Sequence, residues 1–174
     1  SRSFLDFGKK ERITNMSNSL SKIIRTTADV MFLFITVFGF YIVLHGHLTP
    51  GGGFQGGAVI ATGFILLIVA YKLDDFLGWF QKRTFQNCEM SGLVLFIGTA
   101  LAAIPLGYLF FMNFLNGTGG LFGQTVNFGI NPGFLNTAGT IPIMNVAVGI
   151  EVLGGLSIII LYMTSGIRSH EEGE

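Results

Sequence analysis

The residue with the clearest capacity for chemistry is Glu151, a carboxylate in the middle of the apolar segment 141–163. A charge at the centre of a bilayer costs on the order of 2.5–3.5 kcal/mol on insertion scales, so such residues face protein or water and often lie on an ion path. At helical spacing Glu151 shares its face with Ala147, Gly154 and Gly155, and small residues let a second helix approach closely. Two interpretations stay open: a carboxylate that exchanges a proton or cation, or a structural carboxylate paired with a neighbouring helix.

Other polar residues mark the ends or the interior of the apolar segments. Asp29 follows Arg25 by four residues, which fits either an i,i+4 ion pair or the cytoplasmic mouth of an ion path. Glu89 opens the third apolar segment, where a carboxylate is expected to complete the helix dipole. Asn145 lies inside the fourth segment and is expected to hydrogen-bond across helices. Asp29 and Asn145 are therefore secondary candidates for the path.

Two histidines, His45 and His47, follow the first apolar segment. Two His at this spacing could bind a metal ion, but no third ligand of a suitable type is nearby, so no metal site is predicted. Because imidazole titrates near neutral pH, either histidine could pass a proton at the end of the segment. The alternative is a structural role for both at the membrane interface.

The stretch 46–57 reads GHLTPGGGFQGG and separates two apolar segments. It lacks the Lys and Ser/Thr of a phosphate loop and follows no strand, so nucleotide binding is rejected and no cofactor is predicted. Small residues recur at four-residue intervals, which favours close helix packing, and a rearranged backbone could offer carbonyl groups to a cation. The recurring residues are Gly53, Gly57 and Ala61 in one row and Gly52 and Gly56 in the other.

The sequence leaves the conformation of residues 50–56 open. Thr49 is a good N-cap residue and Pro50 fits the first position of a helix, so a helix beginning at Pro50 is plausible. That helix would begin with three glycines, each a poor helix former by about 1 kcal/mol. The alternative is a loop that dips into the membrane, which is tolerated only where protein or water covers its backbone.

Composition indicates an integral membrane protein. Of the 174 residues, 50% are hydrophobic and 11% are charged, against about 25% charged in an ordinary soluble domain. The balanced charge argues against nucleic-acid binding, and a single cysteine, Cys88, excludes a disulfide framework or a metal cluster built on thiolates of this chain. Long apolar blocks predict four transmembrane helices. They cover residues 27–45, a segment that ends at residue 71, 90–112 and 141–163.

The distribution of basic residues predicts the topology. All ten Lys and Arg residues lie before the first span, between the second and third, or after the fourth, so both termini should be cytoplasmic. The predicted fold is an all-α bundle of four transmembrane helices in the cell membrane, with a basic segment 1–26, a membrane domain 27–165 and an acidic tail 166–174. Pro105 favours a kink in the third span, and the uncharged connection 113–138 is expected to pack against other protein.

With its glycine stretch, the chain resembles the MnhB/MrpB family, which supplies one of the small membrane subunits of Mrp-type multisubunit Na⁺/H⁺ antiporters. Similar subunits occur in archaeal membrane-bound hydrogenases and sulfane reductases. The basic N-terminus, the four spans and the long connection before the last of them also look similar, so the resemblance covers residues 25–168. Glu151 lies outside the matching string. The residues that match the family motif are His47, Thr49, Pro50, Gly51, Gly52, Gly53, Phe54, Gly56 and Gly57.

The resemblance implies an accessory subunit without catalytic chemistry of its own. Such subunits pack against other small membrane subunits and a large complex I-like antiporter subunit, and help to form a path for Na⁺ and H⁺. The sequence leaves open whether the host is an antiporter, a hydrogenase or a sulfane reductase. One alternative is a self-contained four-helix exporter that acts as a dimer through Glu151. An intramembrane enzyme is disfavoured because neither G-x-S-x-G nor H-E-x-x-H occurs.

Overall fold

The computed structural model describes residues 2–71, 73–126 and 133–171, and it confirms the all-helical fold class. The only β-type pairing within these residues is an isolated bridge between Gln124 and Thr137. Three helical segments are long and apolar enough to cross a membrane, namely Lys22–His45, Gly53–Tyr71 and Ile141–Gly166. The helices are α1 (Arg2–His45), α2 (Gly53–Tyr71), α3 (Leu73–Trp79), α4 (Lys82–Leu101) and α5 (Ile141–Glu171).

The junction between α1 and α2 is a short turn rather than a helix that begins at Pro50. The amides of Leu48 and Thr49 donate to the His45 carbonyl at 2.8 and 3.0 Å, and the Thr49 hydroxyl donates to the same oxygen at 3.2 Å. Thr49 therefore caps the end of α1 and not the start of α2. Gly51 has a φ of 139°, which favours glycine and interrupts the helical path, so the alternative of a helix that begins at Pro50 is not formed and α2 begins at Gly53.

Helix α4 differs from the predicted third span at both ends. It begins at Lys82 and ends at Leu101, where residues 90–112 were predicted. Pro105 has no N–H to donate and clashes with a preceding helical turn, and the chain leaves the helix instead of kinking. The Leu101 carbonyl is satisfied by the amide of Ile104 at 3.0 Å. Helix α4 is not among the three candidate membrane spans because its first turns contain polar and charged residues.

The helices pack in the order α1, α2, α5, α4. Helices α2 and α5 run parallel, since Gly53 faces Asn145 and Gly57 faces Gly149, whereas α4 runs antiparallel to α5. The register of α4 on α5 is fixed near the start of α4, where the Lys82 ammonium donates to Ser165 Oγ at 3.2 Å. The Gln86 amide donates to the Tyr162 hydroxyl at 3.1 Å, one turn further along. Helix α4 therefore runs beside α5 over its whole length, at the same height as the candidate span of α5.

The two ends of the bundle have different characters. At one end, called here the basic end, Arg25 and Lys82 lie close to α3, whose Phe76 is fully buried against Phe85. At the other end, called the glycine end, the turn at residues 46–52 meets the first turns of α5 and the loop 102–140. Helix α1 passes the predicted domain boundary at residue 26 without a break.

Candidate functional site

The first seam of interest joins α2 to α5 and is made by glycines of the 46–57 stretch. A methyl group at Gly53 would overlap the carbonyl oxygen of Asn145, and one at Gly57 would lie 2.5 Å from the carbonyl oxygen of Gly149. These positions leave no room for any side chain. We call this contact the α2–α5 seam, defined by Gly53, Gly57, Asn145 and Gly149.

The other face of α2 uses glycine in the same way against α1. A methyl group at Gly56 would lie 2.7 Å from the carbonyl oxygen of Gly39, and one at Gly39 would lie 3.0 Å from that of Gly56. The two rows of small residues in the stretch thus lie against different helices. Ala61 continues the row of Gly53 and Gly57 and is fully buried, whereas Phe54 is 60% exposed.

The side-chain amide of Asn145 packs closely against the glycine turn between α1 and α2. A methyl group at Gly46 would approach Asn145 Nδ2 to 2.9 Å, and one at Gly52 would approach Oδ1 to 3.7 Å. The structure does not bear out the predicted hydrogen bond across helices, because Nδ2 is buried and has no partner among the described residues. Its Nδ2 is therefore packed tightly but unsatisfied by the residues that the structure describes.

His47 ties the glycine turn to the distant loop. Its Nε2 lies 3.2 Å from the carbonyl oxygen of Leu135, which assigns the proton to Nε2 in the neutral ring and leaves Nδ1 as an acceptor. Nδ1 is buried and has no partner within the described residues. Burial lowers the pKa of His47, the hydrogen bond to Leu135 opposes this shift, and His45 lowers the pKa further. The ring also borders an apolar cavity of about 270 Å³ between α1, α4, α5 and the loop.

His45 makes a different ring contact from His47. Its ring stacks on Tyr41, one turn back along α1, with the ring centroids 4.2 Å apart, while His47 faces the loop. Across the part of the chain that the structure describes, no group of three or more His, Cys, Asp or Glu side chains could hold a metal ion.

The second seam joins α4 to α5 and carries Glu151. A methyl group at Gly92 would lie 2.6 Å from the carbonyl oxygen of Ala147 and 2.8 Å from the Cα of Glu151. One at Gly154 would lie 2.6 Å from the backbone of α4 at Phe85. We call this contact the α4–α5 seam. Glu151 is half-buried there and makes no hydrogen bond or ion pair with any residue that the structure describes.

Glu89 is the residue that sequence reasoning placed wrongly. Because α4 begins at Lys82, Glu89 lies two turns inside the helix and cannot complete its dipole. Its Oε1 lies 3.7 Å from the position of a methyl group at Gly155, and its own amide faces Gly154. The α4–α5 seam therefore brings the Glu89 carboxylate close to Gly155 and the backbone of Glu151 against Gly92. The glycines at positions 92, 154 and 155 could have indicated that α4 and α5 approach closely around Glu89, but only if the start of α4 had been placed correctly.

Asp29 is not paired with Arg25. The Tyr71 hydroxyl donates to Asp29 Oδ2 at 2.6 Å, while Arg25 approaches Asp75 at 4.0 Å and lies 5.2 Å from the centre of the Tyr71 ring. Of the two alternatives for Asp29, the ion pair with Arg25 is not formed, since Arg25 approaches Asp75. Asp29 instead belongs to a network that joins α1, α2 and α3 at the basic end.

Comparison with known proteins decides the family. A family model described as a domain related to the MnhB subunit of Na⁺/H⁺ antiporters matches residues 23–158. The chain belongs to the MnhB family. It is similar to an uncharacterised protein of Methanocaldococcus jannaschii, with 38% identity over 78% of this chain and 49% of that protein. It is also similar to a Staphylococcus haemolyticus protein named as a putative antiporter subunit, mnhB2, with 30% identity over 51% of this chain and 62% of the relative.

A solved structure adds a neighbour from a respiratory complex. A chain of the membrane-bound sulfane sulfur reductase, an archaeal respiratory membrane complex, matches with a TM-score of 0.64 and 35% identity. The match covers 82% of this MnhB-family chain and 57% of that chain, so this chain spans about half the length of several relatives. The family, the complex and the apolar helices together identify a multi-pass membrane protein of an antiporter subunit family.

Proposed function

We propose that this chain is an accessory membrane subunit of a multisubunit Na⁺/H⁺ antiporter module, and that its α4–α5 seam forms part of the path for H⁺ or Na⁺. The observation that carries the proposal is Glu151, half-buried in the seam with no hydrogen-bonding or charged partner among the described residues. A carboxylate in an apolar helix is costly. Close contact through glycine does not require one, because the α2–α5 seam achieves the same packing without it.

The second carboxylate supports the same proposal. Glu89 and Glu151 lie on facing helices of one seam, and polar groups continue from Glu89 toward the basic end through Gln86 and Tyr162. Proton relays in membranes are built from such successions of ionisable and polar side chains. His47, whose Nδ1 has no hydrogen-bond partner among the described residues, is the candidate proton contact at the glycine end.

The arrangement of the helices also supports four membrane crossings with both termini in the cytoplasm. Helix α4 lies beside α5 over its full length, and twenty residues at ~1.5 Å each give roughly 30 Å, the thickness of a hydrocarbon core. Arg25 and Lys82 lie at the basic end, and Arg83 directly follows Lys82. A basic end that faces the cytoplasm obeys the positive-inside rule and leaves the glycine end outside.

Other subunits of the host complex would supply the rest of the ion path. We infer other small membrane subunits and a large complex I-like antiporter subunit as partners. The similarity to a chain of the sulfane sulfur reductase supports a redox-driven host, and the staphylococcal relative supports a stand-alone antiporter. Mass spectrometry of the complex purified through this chain distinguishes them, because a reductase or hydrogenase subunit is expected only in the first.

The direct test is Glu151→Gln in the purified complex reconstituted into liposomes. Na⁺-dependent proton movement should be lost although the complex contains all of its subunits, since glutamine keeps the shape of the side chain but cannot ionise. Ile150→Val, one residue away, serves as the matched control and should leave transport unchanged. Normal transport by an intact Glu151→Gln complex would sink the ion-path proposal, and transport by this chain alone would show a self-contained exporter instead.

A further inference from the structure

Residues 104–112, which follow α4, form an apolar surface without helical structure, called here the apolar turn. Leu106 and residues 108–112 are each 46–80% exposed, and Leu109 is the most exposed of them. The apolar turn continues a stripe of exposed residues at helical spacing on α4. That stripe consists of Met90, Val94, Ile97 and Leu101, which are 47–66% exposed.

The apolar turn lies beside α4 rather than beyond its end. The amide of Phe111 donates to the carbonyl oxygen of Ala100 at 3.3 Å, and the rings of Phe111 and Phe96 have centroids 5.8 Å apart. Leu95 of α4, which directly precedes Phe96, lines the same cavity as Ile143 of α5. The apolar turn is therefore level with the first turns of an apolar helix that is long enough to cross a membrane.

Its backbone is incompletely hydrogen-bonded. The amides of Tyr108 and Met112 donate to carbonyl groups of the chain, whereas the amides of Leu109 and Phe110 donate to no residue that the structure describes. Phe111 has a φ of 65°, a conformation that a non-glycine residue rarely adopts. Lipid cannot satisfy free N–H groups, so non-helical backbone at membrane height persists only where protein or water covers it. Water would leave a large aromatic and aliphatic patch exposed.

We propose that the apolar turn, together with the α4 stripe, is the docking surface for another membrane subunit, whose uncharged segment supplies carbonyl or hydroxyl acceptors to the amides of Leu109 and Phe110. This inference rests on the proposed function, in which the chain belongs to a larger complex. No charged residue occurs between Glu89 and Glu151, so a charged partner segment would find no counter-charge here. A protein partner meets both requirements of the surface, apolar contact and hydrogen-bond acceptors.

The described residues 113–126 and 133–140, which follow the apolar turn, are joined by several hydrogen bonds within the chain. Asn113 Nδ2 donates to the carbonyl oxygen of Ala138 at 2.9 Å, and its Oδ1 accepts the amide of Thr140 at 2.8 Å. Asn136 Oδ1 likewise accepts the amide of Phe122. These bonds hold Asn113 and Asn136 to their own chain, and the apolar turn lies just before residues 113–138, for which contact with other protein was expected from the sequence.

Photo-crosslinking in the full complex tests the docking surface. The photoreactive residue p-benzoyl-phenylalanine replaces Leu109 or, as a matched control, Val69, which is 77% exposed on α2, where helical hydrogen bonds satisfy the backbone. Leu109 should give a covalent adduct with another subunit, identified by mass spectrometry, while Val69 reports adducts with lipid. Adducts of Leu109 with phospholipid alone, in a complex of normal composition, would overturn the docking proposal.

A second pair of variants covers the case in which the bulky probe disturbs the site. Leu109→Glu should reduce the recovery of other subunits, whereas Leu121→Glu, at a residue 69% exposed in the self-closed part of the loop, should not. Equal recovery with both variants would contradict the proposal. If the wild-type chain purified without any antiporter-type subunit, the proposed function itself would fail, which is a distinct result from lipid adducts in an intact complex.

Discussion

Helix α5 packs against α2 on one side and against α4 on the other. Both seams are closely packed through glycine, but they differ in the polar side chains that they contain. In both, glycine lets one helix backbone approach the carbonyl groups of the other. The α2–α5 seam contains only neutral groups, with the Asn145 amide as its polar member. The α4–α5 seam contains Glu89 and Glu151. Since tight packing needs no carboxylate, the acids on the α4 side call for a second explanation, and ion movement supplies one.

The largest effect on assembly of the complex is expected from a substitution in the α2–α5 seam. Gly53→Ala would push a methyl group into the Asn145 carbonyl and should cost about 1–3 kcal/mol or more, because backbone on both sides resists the shift. The amount of assembled complex in the membrane, measured by native gel electrophoresis, should fall. Gly98→Ala is the matched control, since nothing lies within 4 Å of that position, and it should not lower assembly. Full assembly with Gly53→Ala would show that the seam is loose.

The next largest effect is expected at the α4–α5 seam, where substitutions should lower transport without lowering assembly of the complex. Glu89→Gln and Glu151→Gln should each lower Na⁺-dependent proton movement on the order of tenfold or more, a fraction of what a positioned proton-transfer group contributes to a rate. The double variant should fall no lower than the less active single variant, because both residues would serve one path. Independent, multiplying losses would argue for two separate roles.

A smaller, pH-dependent effect is expected at His47. Because burial lowers its pKa in the folded state, the unfolded chain binds more protons between that lowered value and about 6.5. Stability of the loop contact is therefore fully present above about pH 6.5 and decreases as the pH falls toward the lowered pKa. Hydrogen-exchange protection at residues 133–137, corrected for the intrinsic pH dependence of exchange, should fall in the wild type as the pH decreases across this window. His47→Gln should remove the pH dependence, and an unchanged profile would show that His47 does not hold the loop.

The smallest effect is expected at the basic end. Tyr71→Phe removes the hydrogen bond to Asp29 and should lower the thermal stability only slightly, because the bond is exposed and water competes for both groups. Asp29→Asn provides the second arm of a double-mutant cycle measured by thermal unfolding in detergent. A coupling energy near zero would mean that this contact does not stabilise the pair α1 and α2. Transport should be unaffected if Asp29 has only this structural role.

The features that the sequence predicts well are local ones. The four-residue spacing of Gly53 and Gly57 is a direct consequence of helical periodicity, and the structure places both residues against α5. Glu151 lies inside the apolar helical segment Ile141–Gly166, as its position in an apolar block predicts. These inferences need only the residues of one segment, so single-sequence reasoning reaches them.

The features that it misses depend on competition between segments. Gly51 and the Thr49 hydroxyl end α1 and delay α2, although Thr49 and Pro50 alone favour an earlier helix. Pro105 ends α4 instead of kinking it, and the polar turns from Lys82 place Glu89 inside the helix. The contact of His47 with Leu135 joins residues 88 positions apart, and no local pattern contains it.

Infrared difference spectroscopy of the complex tests most directly whether the α4–α5 seam exchanges ions. Na⁺ is added to the wild-type complex and to the Glu151→Gln complex, and the carbonyl band of protonated carboxyl groups is followed. Ion exchange in the seam predicts that Na⁺ removes a protonated-carboxyl band in the wild type and that Glu151→Gln abolishes this change. The same Na⁺-induced difference in both complexes would contradict a role for Glu151 in ion movement.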